Sequence, residues 1–184
     1  MSRVRFATAR DLFETFPMSR TLIKSEPTDE LPLDYLRGLV AKAKLDDAVT
    51  FCAYLLPRRE AVWWACRSVR ALLGDTEAPN ADCLQAAEAL VHEPDPKHRQ
   101  AAQDSSERGD RDSPLTWLAL AAAWSGGVVS MGAPTPVAPP PQLTAHAVRV
   151  AILLRARQLT PRESDPRLRT CIEDGMRLAE SGLS

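Results

Sequence analysis

The 184-residue chain has no C-x-x-C pair, no H-E-x-x-H, no G-x-S-x-G and no glycine-rich phosphate loop. Each absence removes a class of chemistry. The histidines are His92, His98 and His146, and none stands at zinc-ligand spacing from a second histidine or a cysteine, so no metal site is expected. His92 reads as a residue near a helix C-terminus, where the dipole favours it. Ser125-Gly126-Gly127 follows a helical segment rather than a strand, so the glycines read as a helix stop and not as part of a nucleophile elbow. Asp46-Asp47 and Glu173-Asp174 are sequence neighbours, which places each pair on two sides of a helix rather than at one reaction centre. No catalytic residue and no cofactor is expected.

Long apolar runs are also missing. The N-terminal MSRVRFATARDLFETF is broken by Arg10, Asp11 and Glu14, so it has no signal-peptide core. Residues 113–148 carry no Asp, Glu, Lys or Arg, but Thr116, Ser125, Gly126, Gly127 and Ser130 interrupt the apolar part. It falls short of the roughly 20 apolar residues of a spanning helix. The four cysteines, Cys52, Cys66, Cys83 and Cys171, sit in apolar helical patterns without pairing spacings. They are expected to be reduced and buried, in a cytoplasmic chain.

The overall charge is −1, which gives no general attraction to nucleic acid or anionic membranes. Residues 1–73 carry 12 cationic and 9 acidic side chains, residues 74–112 carry 4 and 10, and residues 113–184 carry 7 and 5. The acidic middle is expected to pair internally with its flanks; a basic partner is the other reading.

What is present is helix signal. Ala, Leu, Arg and Glu abound and β-branched alternation is scarce. Thr8 caps a first short helix, and Pro17–Leu31 reads as a loop or loosely packed arm. Pro32, Asp46 or Asp47, Pro57, the Pro79-Asn80 pair, Asp95-Pro96, Ser113-Pro114, Gln142 or Thr144, and Asp165-Pro166 open the helices that follow. The expected fold is all-α: a compact bundle of eight or nine helices with one Pro/Gly-rich crossover over Ser125–Gln142. Residues 1–31 form a helix and arm, and residues 32–184 a single helical domain. Ala145–Leu159 is apolar nearly all round and should be the central helix. No fixed repeat is visible.

Two segments carry the functional signal. On a helix from Arg58, Val62, Cys66, Val69 and Leu73 form a buried stripe, and Arg59, Trp63, Arg67 and Arg70 form the neighbouring one. Trp64 falls on the other flank and is expected to be structural. Arginine stacks on tryptophan, and arginines in a first turn oppose the helix dipole. Arg58, Arg59, Trp63, Arg67 and Arg70 are therefore candidates for an anion-binding partner surface. The alternative is a helix junction whose arginines bond carbonyls or Asp46 and Asp47. In the second segment Trp117 and Trp124 are seven apart and face one way, and the prolines Pro134, Pro136, Pro139, Pro140 and Pro141 favour an extended path. Pro139, Pro140 and Pro141 are secondary candidates for a recognition strap, against a plain structural crossover.

Pro57–Arg67, PRREAVWWACR, and the Trp117–Val148 run resemble an uncharacterised proteobacterial family of small helical proteins without assigned activity, often encoded near type VI secretion genes. The resemblance covers roughly Asp46–Leu159. It implies a secretion-linked accessory or adaptor role whose partner is a protein, a secretion component or an effector, and it assigns no catalytic residue. The rivals are an enzyme with an unrecognised site around His146 and the arginines, and a helical DNA-binding regulator. The second is disfavoured by the absence of a concentrated basic recognition helix.

Overall fold

A computed structural model describes residues 4–74, 81–129 and 135–182. Among them are ten helices and no strand. These are α1 (Ala9–Thr15), α2 (Pro17–Leu22), α3 (Pro32–Ala41), α4 (Leu45–Leu55), α5 (Arg58–Leu73), α6 (Ala81–His92), α7 (Pro96–Arg108), α8 (Pro114–Ala123), α9 (Pro141–Arg157) and α10 (Pro161–Ser181). The all-α class is as expected.

Proline opens α2, α3, α7, α8, α9 and α10. Its fixed φ suits the first turn, and its missing N–H has no intrahelical acceptor there. Asp95 and Ser113 complete the device by accepting the His98 and Leu115 N–H groups. The count exceeds eight or nine because Pro17 starts α2 where a loop was expected. That stretch has no apolar periodicity to reveal a helix, yet Ser19 and Ile23 are buried.

The start of the last helix also differs from expectation. Asp165-Pro166 looks like a cap followed by a first-turn proline. The true start is Thr160-Pro161, closed by a capping box in which Glu163 Oε2 accepts from the Thr160 N–H at 3.1 Å. Pro166 lies inside α10, where the Arg162 carbonyl loses its intrahelical donor. The α6 start expected at Pro79 or Asn80 lies outside the described residues, as does Pro134.

α9 packs against α8, α5 and α4, and so has the central place expected for it. α8 is central too: apart from Trp117, every one of its residues is buried, and it touches α5, α6, α7 and α9. α10 crosses α4 and α5. Gly175 makes that crossing close: a Cβ there would stand 2.4 Å from Cys52 Sγ and 2.9 Å from Trp64 Nε1. All four cysteines are free and buried. Burial pushes the Cys52 and Cys66 thiols well above the ordinary thiol range.

The arm after α2 is held to α1 by the Ala9 N–H on Glu30 O at 2.9 Å and the Arg10 N–H on Thr28 O at 3.0 Å, and to α4 by one buried carboxylate. Asp47 Oδ1 accepts from the Lys24 N–H at 3.1 Å, and Oδ2 accepts from the Ser25 N–H at 2.9 Å and the Ser25 hydroxyl at 2.6 Å. The crossover between α8 and α9 carries a single antiparallel bridge, Val129–Val137.

The chain has 19 arginines and 4 lysines, and the arginines close helix C-termini from a distance. Arg5 donates to the Tyr54, Leu55 and Leu56 carbonyls at the end of α4, at 3.1, 3.3 and 3.0 Å. Arg155 and Arg167 reach Leu72 O at the end of α5, at 3.0 and 3.3 Å. Arg169 reaches Val40 O in α3 at 2.9 Å, and Arg99 reaches Ala123 O in α8 at 3.2 Å. The last carbonyls of a helix lack intrahelical donors and carry the negative dipole end, so a planar cationic fork satisfies both needs.

Candidate binding groove

The α5 candidates separate into three places. Arg59, Trp63 and Arg67, at i, i+4 and i+8, line one wall of a groove of about 570 Å³. Val91 and His92 at the end of α6 form a second wall, and Asp174, Arg177 and Leu178 of α10 form the third. Arg58 points elsewhere: it donates to the Pro139 carbonyl at 3.4 Å and lines a separate hollow of about 320 Å³ with Arg5. Arg70 is tied to Glu88 by two hydrogen bonds, at 2.5 and 2.7 Å.

Within the groove the cations are not equivalent. Arg59 Nε donates to Val91 O at 2.7 Å, so it caps α6 in the manner described above. Arg177 is ion-paired with Asp174 on its own helix. Arg67 is exposed and makes no hydrogen bond or ion pair with any described residue. Trp63 is half-buried and stands edge-on to His92, with ring centroids 5.2 Å apart. Arginine stacking on Trp63, expected from the shared stripe, does not occur among the described residues; Arg111 instead lies over Trp117, 5.8 Å from its centroid. Trp64 is 2% exposed, and its Nε1 donates to Cys171 O at 2.7 Å.

The groove thus gathers three arginines against one aspartate, beside an aromatic edge and the apolar flank of Leu178 and Val91. Carboxylates and phosphates match such a donor set, since a guanidinium offers a bidentate fork and the indole an apolar face. His92, Asp174 and Arg177 join the site only through the fold. Nothing near Arg59 in the sequence points to residues more than 100 positions later.

The strap prolines sit at the return into α9. Pro139 is buried, Pro140 is the N-cap and Pro141 is the first residue of the helix. Thr144 donates its hydroxyl to Trp124 O at 2.7 Å and ties this return to the end of α8.

Other clusters have local explanations. A larger groove of about 630 Å³ runs between the starts of α4 and α10, but its charges balance: Lys24, Lys44 and Arg157 face Asp46, Asp47 and Asp165. There Asp46 pairs with Arg157 at 3.2 Å, and Asp47 holds the arm. Glu93, Asp95 and His98 bring ligand atoms within 4.8 Å of one another, a convergence that the sequence spacing did not suggest. The cluster is partly exposed, and Asp95 already serves as the α7 N-cap. His146 packs edge-on to Trp117, and its Nδ1 has no hydrogen-bond partner among the described residues. Burial, then the nearby Arg149, pulls its pKa below the usual imidazole range, and no carboxylate opposes that shift. Of the ion pairs between described residues, Arg70–Glu88 alone joins the acidic middle of the chain to a flank in the way expected.

No helix among the described residues is long and apolar enough to cross a membrane. Comparison with curated proteins and with solved structures gave no match. Residues 35–179, a wider span than the two quoted segments bracket, match the family of unknown function DUF6931, and the chain belongs to that family.

Proposed function

We propose that this chain is a non-enzymatic, protein-binding accessory or adaptor module of a bacterial, type VI-like secretion apparatus, acting in the cytoplasm, and that the Arg59–Trp63–Arg67 groove is its docking surface. One observation carries the site: Arg67 has no partner among the described residues and stands beside a half-buried tryptophan, in a chain that ties most of its neighbouring arginines to carbonyls or carboxylates. Free cations and aromatic edges in a concave site are what a partner's acidic or polar side chains engage. The secretion context comes from the resemblance of Pro57–Arg67 and Trp117–Val148. The partner is a secretion component or an effector protein rather than nucleic acid, because three arginines interrupted by Asp174 make no continuous phosphate track.

The test is affinity capture from the source organism with wild-type chain and with Arg67→Glu, read by quantitative mass spectrometry. A secretion-related protein enriched by the wild type and lost with Arg67→Glu is the expected result. Equal capture by both would move the docking surface away from the groove. Enrichment of no protein by either would remove the adaptor reading.

A further inference from the structure

We infer that the groove recognises an extended acidic peptide segment in which two carboxylates flank an apolar side chain, in the order acidic–x–apolar–x–acidic. The inference rests on the docking role proposed for this groove and names the chemistry of its occupant.

Arg59, Trp63 and Arg67 are four residues apart at each step, and all three line the groove. A helix rises about 1.5 Å per residue, so the steps are about 6 Å along the axis. An extended chain advances about 3.3 Å per residue and presents alternate side chains on one face, so its same-face side chains are about 6.6 Å apart. Three alternate residues of a strand-like segment therefore match the three side chains in register. The outer two would meet guanidinium groups and the middle one the indole.

The remaining walls agree with this reading. Val91 and Leu178 add apolar surface near Trp63. Arg59 is held by Val91 O, so its fork is already oriented and less side-chain freedom is lost on binding. Arg67 has no acceptor among the described residues, and a carboxylate supplies one. Asp174 shares the groove with Arg177 and disfavours a ligand that is anionic at every position. That disfavours a polyphosphate backbone and suits a peptide whose charges are spaced by neutral residues.

The probe is acetyl-Ser-Glu-Ser-Leu-Ser-Glu-Ser-amide, titrated into the full chain at low salt by calorimetry and followed by the backbone amide resonances of the chain and the indole resonance of Trp63. Saturable binding is expected, with shifts confined to α5, the end of α6 and the end of α10. Arg67→Ala, checked for native helicity by circular dichroism, should weaken it about fivefold or more. Asp174→Asn should tighten it about twofold by removing a like charge. A same-composition peptide with adjacent glutamates, acetyl-Glu-Glu-Ser-Ser-Leu-Ser-Ser-amide, should bind several-fold more weakly. Equal binding of the two peptides, or binding insensitive to Arg67→Ala, would overturn the register. Tighter binding of inorganic phosphate or an octathymidylate would replace the peptide with a phosphate ligand. If no probe binds while Arg67→Glu still abolishes capture of a partner, the docking reading stands and this inference fails; if Arg67→Glu also leaves capture unchanged, both fail.

Discussion

Trp63 and Trp64 are adjacent in sequence and have opposite surroundings. Trp64 is closed in by α4 and α10, its N–H on the Cys171 carbonyl and its ring against the bare Cα of Gly175. Trp63 is turned about 100° further round the same helix, half-covered by His92 and open to the groove. One side of α5 is fixed by packing so close that a methyl group does not fit. The other is held by a few polar contacts and carries Arg67, which has no partner among the described residues. A rigid scaffold carrying one cation without a partner among the described residues is the arrangement by which a binding surface holds its geometry without its ligand.

The comparison predicts its largest effect on the closed side. Trp64→Ala removes a fully buried indole, a truncation that typically costs about 3–5 kcal/mol. For a chain of this size each kcal/mol shifts Tm by about 2–4 °C. A fall in Tm of about 6–20 °C is therefore expected by thermal circular dichroism, or loss of soluble expression. Trp63→Ala should cost much less, and equal losses from both would erase the distinction between the two sides. Gly175→Ala comes next. Its Cβ collides with Cys52 Sγ and Trp64 Nε1, so overpacking of about 1–3 kcal/mol is expected. Cys52→Ala removes one of the two colliding atoms and should partly restore the Gly175→Ala protein. Simple additivity of the two substitutions would show that the crossing is looser than the geometry implies.

Much of this fold could be read from the sequence because its boundaries are written in local chemistry. Proline in the first turn, with a short polar cap before it, marked α7 and α8 directly. Near-continuous apolar character marked α9, and hydrophobic period marked the buried stripe of α5 as far as Val69, beyond which Leu72 is buried and Leu73 only partly so. α2 was hidden because PMSRTL has a start signal but no apolar face. The α10 start was misplaced because Asp165-Pro166 and Thr160-Pro161 look alike locally, and only the second has a glutamate at the third helical position to close a capping box. The site was half legible. Spacing put Arg59, Trp63 and Arg67 on one stripe, but it also put Arg70 there, and only the position of α6 shows that Glu88 neutralises Arg70. A sequence shows an arginine and not the carbonyl it will reach: Arg169 closes a helix that ends 128 residues earlier, at Ala41.

A smaller effect is expected where the N-terminal arm meets α4. Asp47 is the acceptor for three donors from Lys24 and Ser25. Hydrogen bonds to a charged group contribute about 1.5–3 kcal/mol to stability, and the arm buries only Ile23 and Ser25 beyond α2. Asp47→Ala should release the arm rather than unfold the bundle. Limited proteolysis should then cut within residues 23–31 faster than in the wild type, while Tm falls by a few degrees. Unchanged cutting would mean that the arm is held by its other contacts, among them the Ala9 and Arg10 N–H groups on Glu30 O and Thr28 O.

The smallest effect separates two arginines of the groove itself. Arg59 donates to Val91 O and closes α6, a hydrogen bond worth about 0.5–1.5 kcal/mol. Arg67 has no partner among the described residues to lose, and a surface substitution away from such contacts usually stays within about 0.5 kcal/mol. Arg59→Ala should therefore lower the urea midpoint measurably, and Arg67→Ala should leave it where it was. Lysine in place of Arg59 keeps the charge but loses the planar fork, so Arg59→Lys should recover only part of the loss. The reverse order, with Arg67→Ala the more destabilising, would mean that Arg67 is a structural cation. The groove would then have no free charge to offer a partner.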